Sequence, residues 1–334
     1  MKIMLILFSL FLLSCTGSQP NQSSEKIRVL FDSDTNNELD DQHALAYLLF
    51  NGNTFDVAGV TVNATRSGGR VDLQYAEAER VMRLCGLSDK LALYKGANSS
   101  FDTIRHFIDS TTFDGADAVN FIIQEAKSPA DKKLVVIAVG KLTNLALALK
   151  KEPAIADRIR LVWLGSNYPE PGEYNMDNDT ASVNFVLSTN VEFEMVTVRY
   201  GKPNGSDVVR LPQEDVNRKM KGKGPVVAPP VTGRHGGDFT SFGDYSVNLF
   251  EHIHYSGTPP SRPLFDMVAV AVVKNPAWGI KSEIPGPKLI NNLWKEQPEN
   301  PRKVIVWGDF DKEKIISDFY QTMDHPVLVK IGKQ

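Results

Sequence analysis

Val29-Leu-Phe-Asp-Ser-Asp-Thr-Asn-Asn-Glu-Leu-Asp-Asp-Gln-His-Ala-Leu45 is an apolar strand that runs into a polar loop and then into a helix. The strand delivers Asp32 and Asp34 to its C-terminal end. A five-residue loop follows, and Asp40 and Asp41 stand where the helix begins. In an open α/β sheet that edge is where ligands bind. Asp40 is a candidate N-cap, and Asp41 in the first turn sits where the helix dipole favours negative charge. Capping does not explain why Asp34 is brought to the same place. Crowded carboxylates raise one another's pKa unless a cation compensates them, so the cluster points to a bound divalent ion. All-oxygen ligation from an irregular set of loops suits Ca²⁺ better than the strict octahedron of Mg²⁺.

Outward from this stretch, short β-rich runs alternate with helical patterns. Strands are expected at Ile27–Phe31, Val57–Val62, Leu134–Val139, Ile159–Leu164, Phe193–Val198 and Val304–Trp307. Helices are expected at Asp41–Phe50, Asp72–Leu84, Ala116–Ala126, Leu142–Lys150, Thr180–Ser188, Asp266–Val273 and Lys312–Met323. Several strands are almost continuously apolar, as happens when helices cover both faces of a sheet. The expectation is one α/β domain over residues 27–334, with a Rossmann-like, mostly parallel central sheet flanked by helices. Gly201–Gly243, with Lys219-Met-Lys-Gly-Lys-Gly-Pro225 and Pro229-Pro230, reads as a lid or insertion, and Ile284–Pro301 as a second surface excursion.

The chain has 334 residues, 37 Lys+Arg against 40 Asp+Glu and a formal net charge of −3. There is no basic excess to neutralise phosphates, so a nucleic-acid partner is not expected. Lys2 followed by the apolar run Ile3–Leu13 is too short to span a bilayer and reads as a signal peptide covering residues 1–14. Its end, Leu12-Leu13-Ser14-Cys15, resembles a bacterial lipobox. That implies lipidation of Cys15, a flexible tether over 15–26, and a lipid-anchored location facing the periplasm from the outer membrane. Cys85 is then the one remaining thiol, which excludes an internal disulfide and makes it a buried structural residue.

Three further motifs share the order and character of the first. Val136-Ile-Ala-Val-Gly-Lys-Leu-Thr-Asn144 is a strand, a glycine and a helix start. Leu164-Gly-Ser-Asn-Tyr-Pro-Glu-Pro-Gly-Glu-Tyr-Asn175 is a polar loop after a strand. Pro263-Leu-Phe-Asp-Met-Val-Ala-Val270 opens an apolar helix with an aspartate, Asp266, a candidate N-cap. Together with Asp-x-Asp, loop, Asp-Asp, this series resembles the inosine-uridine nucleoside hydrolase family, although the first loop is two residues longer than in its best-known members. The resemblance implies that family's fold, hydrolysis of the N-glycosidic bond of ribonucleosides, and a homo-oligomer. It implies Ca²⁺ held by Asp34, Asp41, Asp266 and the carbonyl of Val139, with Asp34 as general base. It also implies ribose recognition by Asp40, Asn63, Asn167, Glu173, Asn175 and Asp266. Asp32 is left as a supporting hydrogen-bond partner, and Thr143 and Asn144 carry no assigned chemistry. Many purine-active members have a histidine before the last aspartate. Here that residue is Phe265, which leaves His235, His252 and His254 as candidate acids or leaves base stacking to suffice.

Two other readings compete. Leu30-Phe-Asp-Ser-Asp-Thr35 also resembles the first motif of haloacid-dehalogenase-type phosphatases, with Asp32 as nucleophile, Mg²⁺ as cofactor and Trp307-Gly-Asp-Phe-Asp311 as a late acidic motif. Phe265 favours a lipoprotein that binds a nucleoside or sugar without turning it over.

Overall fold

The computed structural model describes residues 25–88 and 90–330. The signal peptide, Cys15 and nearly all of the tether therefore lie outside the described residues. Eight strands form the central sheet: β1 (Ile27–Ser33), β2 (Phe55–Val62), β3 (Leu93–Lys95), β4 (Leu134–Ala138), β5 (Ile159–Ser166), β6 (Glu192–Thr197), β7 (Ile280–Pro285) and β8 (Lys303–Gly308). Their spatial order is β7-β8-β6-β5-β4-β1-β2-β3. All neighbours are parallel except β7, which runs antiparallel to β8 at one edge.

Alternation along each strand divides the core between the two faces of the sheet. Val29, Phe31, Val135 and Ile137 enter one apolar cluster, while Leu30, Val136 and Ala138 enter the other. Helices cover both faces, which is why these strands carry so few polar residues. Helix α1 (Leu39–Leu49) is buried along its whole length, and α4 (Phe265–Lys274) packs against it. Cys85 is a free, fully buried thiol at the end of helix α2 (Val71–Leu84).

The chain passes from β1 to β2 and β3 on one side, then returns to the other side of β1 with β4, β5 and β6. The order therefore reverses between β1 and β4, and the crevice beyond their C-terminal ends is the place this topology offers a ligand. Asp34 follows β1, Asn63 follows β2, Val139 follows β4 and Asn167 follows β5, so the motifs converge there by topology alone.

Strands β3 and β7 were not expected from the sequence, because three residues and an exposed edge leave no apolar run to read. The Gly201–Gly243 segment holds more structure than a lid: strand Arg210–Pro212, helix Gln213–Lys219 and a small hairpin, Val231–Thr232 with Asp238–Phe239. Arg210–Pro212 pairs antiparallel with Ser261–Pro263, which fastens this excursion beside the start of α4. The second excursion is a hairpin, Lys288–Ile290 with Leu293–Lys295. It turns through Asn291 and Asn292 at φ 50° and 60°, the left-handed conformations that a two-residue hairpin loop requires.

Candidate active site

A cavity of about 400 Å³ opens at the β1/β4 crevice, a volume suited to a small organic ligand. Its floor is acidic. Asp34 leaves β1 with Oδ2 accepting from Thr65 Oγ1 at 2.6 Å, while Oδ1 is buried without a partner among the described residues. Asp40 and Asp41 lie in the first turn of α1, whose N-cap is Glu38, so Asp40 is not the cap expected from the sequence. Asp266 lies in the first turn of α4, whose N-cap is Leu264, and it too is not the expected cap. The amides of Asp266 and Phe265 instead help hold the charge of Asp40, which ties the first motif to the last. Asp40, Asp41 and Asp266 each bring a carboxylate oxygen within 4.8 Å of the others. Asp34 faces the same cavity.

Burial raises the pKa of every one of these acids. Asp34 and Asp40 are each pushed up to about 7, first by desolvation and then by the neighbouring carboxylates Asp32 and Asp34 respectively. Asp41 and Asp266 rise well above the ordinary value for the same reasons, and Glu173 to about 7. Such a floor holds protons unless a cation replaces them. The orphaned Asp34 Oδ1, the all-oxygen donors and the accumulated negative charge all fit a hard divalent cation.

Behind the floor the structure is pinned. Asp32 accepts from Thr61 Oγ1 at 2.5 Å, Asn144 Nδ2 at 2.7 Å and Asn63 Nδ2 at 2.9 Å. It is fully buried and does not line the cavity, so it cannot act as the nucleophile of a phosphatase. Asp311 of the supposed late acidic motif caps helix Lys312–Asp324. Asn144 also donates to the Val62 carbonyl and accepts from the Ala97 amide, thereby joining three strand ends. Buried Lys141 gives its ammonium to the carbonyls of Asn98 and Ser99 and lowers the pKa of both Asp32 and Asp34. Gly140 is required by space: a Cβ there would stand 2.9 Å from Asp34 Oδ1 and 3.1 Å from Asn63 Oδ1.

The wall is built from the β4 and β5 loops. Val139 lines the cavity, and its carbonyl accepts from Asn175 Nδ2 at 2.8 Å with a second lone pair left for another partner. Glu173 caps the short helix α3 (Tyr174–Asn178), accepting from the amides of Asn175 at 3.0 Å and Met176 at 2.8 Å. Glu173 and Asn175 face the cavity, and Asn175 Oδ1 has no partner among the described residues. Asn63 and Asn167 are placed otherwise. Asn63 is turned onto Asp32 behind the floor, and Asn167 donates to the Pro171 carbonyl and lines a separate recess beside Tyr200.

None of His235, His252 and His254 lines the cavity; His235 and His252 stack on each other with centroids 4.5 Å apart. The rim carries residues the sequence reading passed over. Tyr200 meets Phe265 edge-to-face at 5.6 Å. Arg262 forms an ion pair with Glu38, and Asn37 from the lengthened loop stands at the same mouth. One signal was available for Asn37 and Glu38, since the additional residues of that loop had to go somewhere near the aspartates.

The sequence profile of the inosine-uridine preferring nucleoside hydrolases matches residues 29–329. Among curated proteins, an uncharacterised protein of Schizosaccharomyces pombe is 25% identical over 193 residues, 51% of this chain and 60% of that protein. The inosine-uridine preferring nucleoside hydrolase of Leishmania major is 32% identical over 92 residues, 26% of this chain and 29% of that protein. The matched parts thus span less than two thirds of these relatives. Among solved structures, a plant nucleoside hydrolase superposes with a TM-score of 0.70 at 16% identity, covering 90% of this chain and all of the other.

Proposed function

The chain belongs to the inosine-uridine preferring nucleoside hydrolase family, and from that premise we propose that it hydrolyses the N-glycosidic bond of ribonucleosides with Ca²⁺ as its ion. Asp34, Asp41, Asp266 and the Val139 carbonyl would hold the ion, with Asp40 contributing both to the charge and to ribose hydroxyl recognition. When bound, the cation supplies the positive charge that keeps these carboxylates ionised and makes a water molecule more acidic.

The protein residues divide the remaining work. Asp34 acts as general base: Thr65 fixes its carboxylate through one oxygen, and a lone pair of the carboxylate not given to the ion takes the proton of the attacking water. Glu173, Asn175 and Asp266 accept from or donate to the sugar hydroxyls, so a sugar lacking a hydroxyl leaves buried polar groups unpaired and is rejected. A floor with more carboxylate charge than one divalent ion neutralises favours the positive, oxocarbenium-like transition state over the neutral substrate. The observation that carries this reading is the convergence of Asp34, Asp40, Asp41 and Asp266 on one cavity at the β1/β4 crevice.

The test is release of reducing sugar from a panel of ribonucleosides, with Ca²⁺ and with chelator. Turnover that chelation abolishes and calcium restores supports the reading. Tight calorimetric binding of a riboside without turnover contradicts it in favour of the non-catalytic binder.

A further inference from the structure

Cleavage of an N-glycosidic bond leaves its electron pair on the departing base, and an acidic floor repels the charge that develops there. The cavity therefore needs a cationic or proton-donating group at its other end, and the three loop histidines do not reach it. Two arginines do. Arg210 uses its guanidinium to hold the fold: Nη1 donates to Asp207 Oδ1 at 3.0 Å, Nε to Ser261 Oγ at 3.1 Å and Nη2 to the Ser261 carbonyl at 3.2 Å. Arg262 is different. One Nη pairs with Glu38, its side chain is 17% exposed, and its buried Nε has no partner among the described residues. It lines the cavity beside Phe265 and Tyr200, an aromatic pair able to stack a planar heterocycle.

We propose that Arg262, oriented by Glu38, receives the leaving base in place of a general acid, donating a guanidinium N–H that Glu38 does not engage to an acceptor atom of the heterocycle as negative charge accumulates. This rests on the nucleoside-hydrolase reading of the site. An arginine is never deprotonated at working pH, so it stabilises the base anion by charge and hydrogen bonding and does not supply the proton. The C1′–N bond breaks with its electron pair going to the base, water oxygen bonds to C1′, Asp34 takes one proton from that water, and the base anion is protonated by solvent. The donor-only character of guanidinium also restricts the ligand to bases that turn an acceptor toward Arg262.

The discriminating experiment compares a natural riboside, uridine or inosine, with 4-nitrophenyl riboside, whose phenolate leaves without assistance. Arg262→Ala should lower kcat/KM on the natural riboside by about 100-fold, in the range of one lost charge-stabilising donor, and on the nitrophenyl riboside by less than about 5-fold. Arg262→Lys, which keeps charge and packing but lacks the Nε–H, should fall between wild type and Arg262→Ala on the natural riboside. Glu38→Gln, which loosens the orientation of Arg262, should show the same substrate-dependent pattern in weaker form. Equal losses on both substrates, or no loss on either, would overturn the assignment, as would full activity of Arg262→Lys alongside an Arg262→Ala that fails to fold. Wild-type protein that cleaves neither substrate overturns the parent reading, an outcome distinct from any arginine-specific result.

Discussion

The floor and the rim of the cavity are built on different principles. The floor stands on the ends of β1 and β4 and on the first turns of two buried helices, and its side chains are fixed by neighbours that are themselves fixed: Asp32 by three donors, Asn144 across three strand ends, Asp34 by Thr65 and by the space Gly140 leaves. The rim stands on a three-residue strand, a lengthened loop and an excursion, and Arg262 and Phe265 are held there by one ion pair and one aromatic edge. The comparison teaches that the proposed chemistry is held where the fold is over-determined, while the proposed selection among leaving groups falls to elements that can change without disturbing the sheet.

Breaking the floor should have the largest effect. Asp34→Asn removes the base and is expected to lower kcat about 1000-fold, within the range for a positioned general base, with the fold retained by circular dichroism. Asn144→Ala strips partners from Asp32, the Val62 carbonyl and the Ala97 amide. Asp32 keeps Thr61 and Asn63 and the Val62 carbonyl keeps the Gly96 amide, so the Ala97 amide is the group left unpaired; at about 1–3 kcal/mol for such a buried orphan, urea unfolding should show a loss of about 2 kcal/mol. Gly140→Ala presses on Asp34 Oδ1 and should reduce kcat roughly 10-fold to 100-fold, the scale of a small misplacement of a catalytic group, at little cost in stability.

Perturbing the stacking surface of the rim should register on binding. Tyr200→Ala removes a stacking surface and is expected to raise KM about 5-fold with kcat nearly unchanged, the signature of lost uniform binding. An effect on kcat as large as that of Asp34→Asn would erase the distinction between the two regions.

Acid titration should separate the regions once more. In the chelated protein Asp32 has its pKa raised to about 6, and Asp34, Asp40 and Glu173 to about 7. The folded state then keeps protons that the unfolded chain releases near pH 4, so the stabilising contribution is full below that pH and is lost as pH rises through 6 to 7. Metal-free protein should melt a few degrees higher at pH 5 than at pH 8, and calcium should raise the melting temperature most at pH 8. Differential scanning calorimetry at the two pH values measures both.

Much of the floor was legible in the sequence because it obeys strong local rules. Apolar strands buried on both faces announce themselves, and a parallel sheet places whatever follows such strands at one edge. The elements expected around β1, β2, β4, β5, β6 and β8 all formed. The caps misled, since an aspartate beside a helix start looks like an N-cap from either of two positions, and only the backbone shows that Asp40 and Asp266 lie inside their first turns. Asn144 looked like an ordinary helix-start residue because its partners, Asp32, Val62 and Ala97, are remote in sequence. Arg262 and Tyr200 were invisible for the same reason: short strands and irregular loops carry no periodicity, and their meeting over the cavity is a tertiary fact.

The claim on which the rest depends is that the acids of the floor bind a single cation. Isothermal titration of chelator-stripped protein with calcium at pH 7.5 tests it most directly. The expected result is one ion per chain, protons released on binding, and loss of the binding isotherm in Asp266→Asn. Absence of binding heat in two buffers of different ionisation enthalpy, with no calcium-dependent rise in melting temperature, would contradict it.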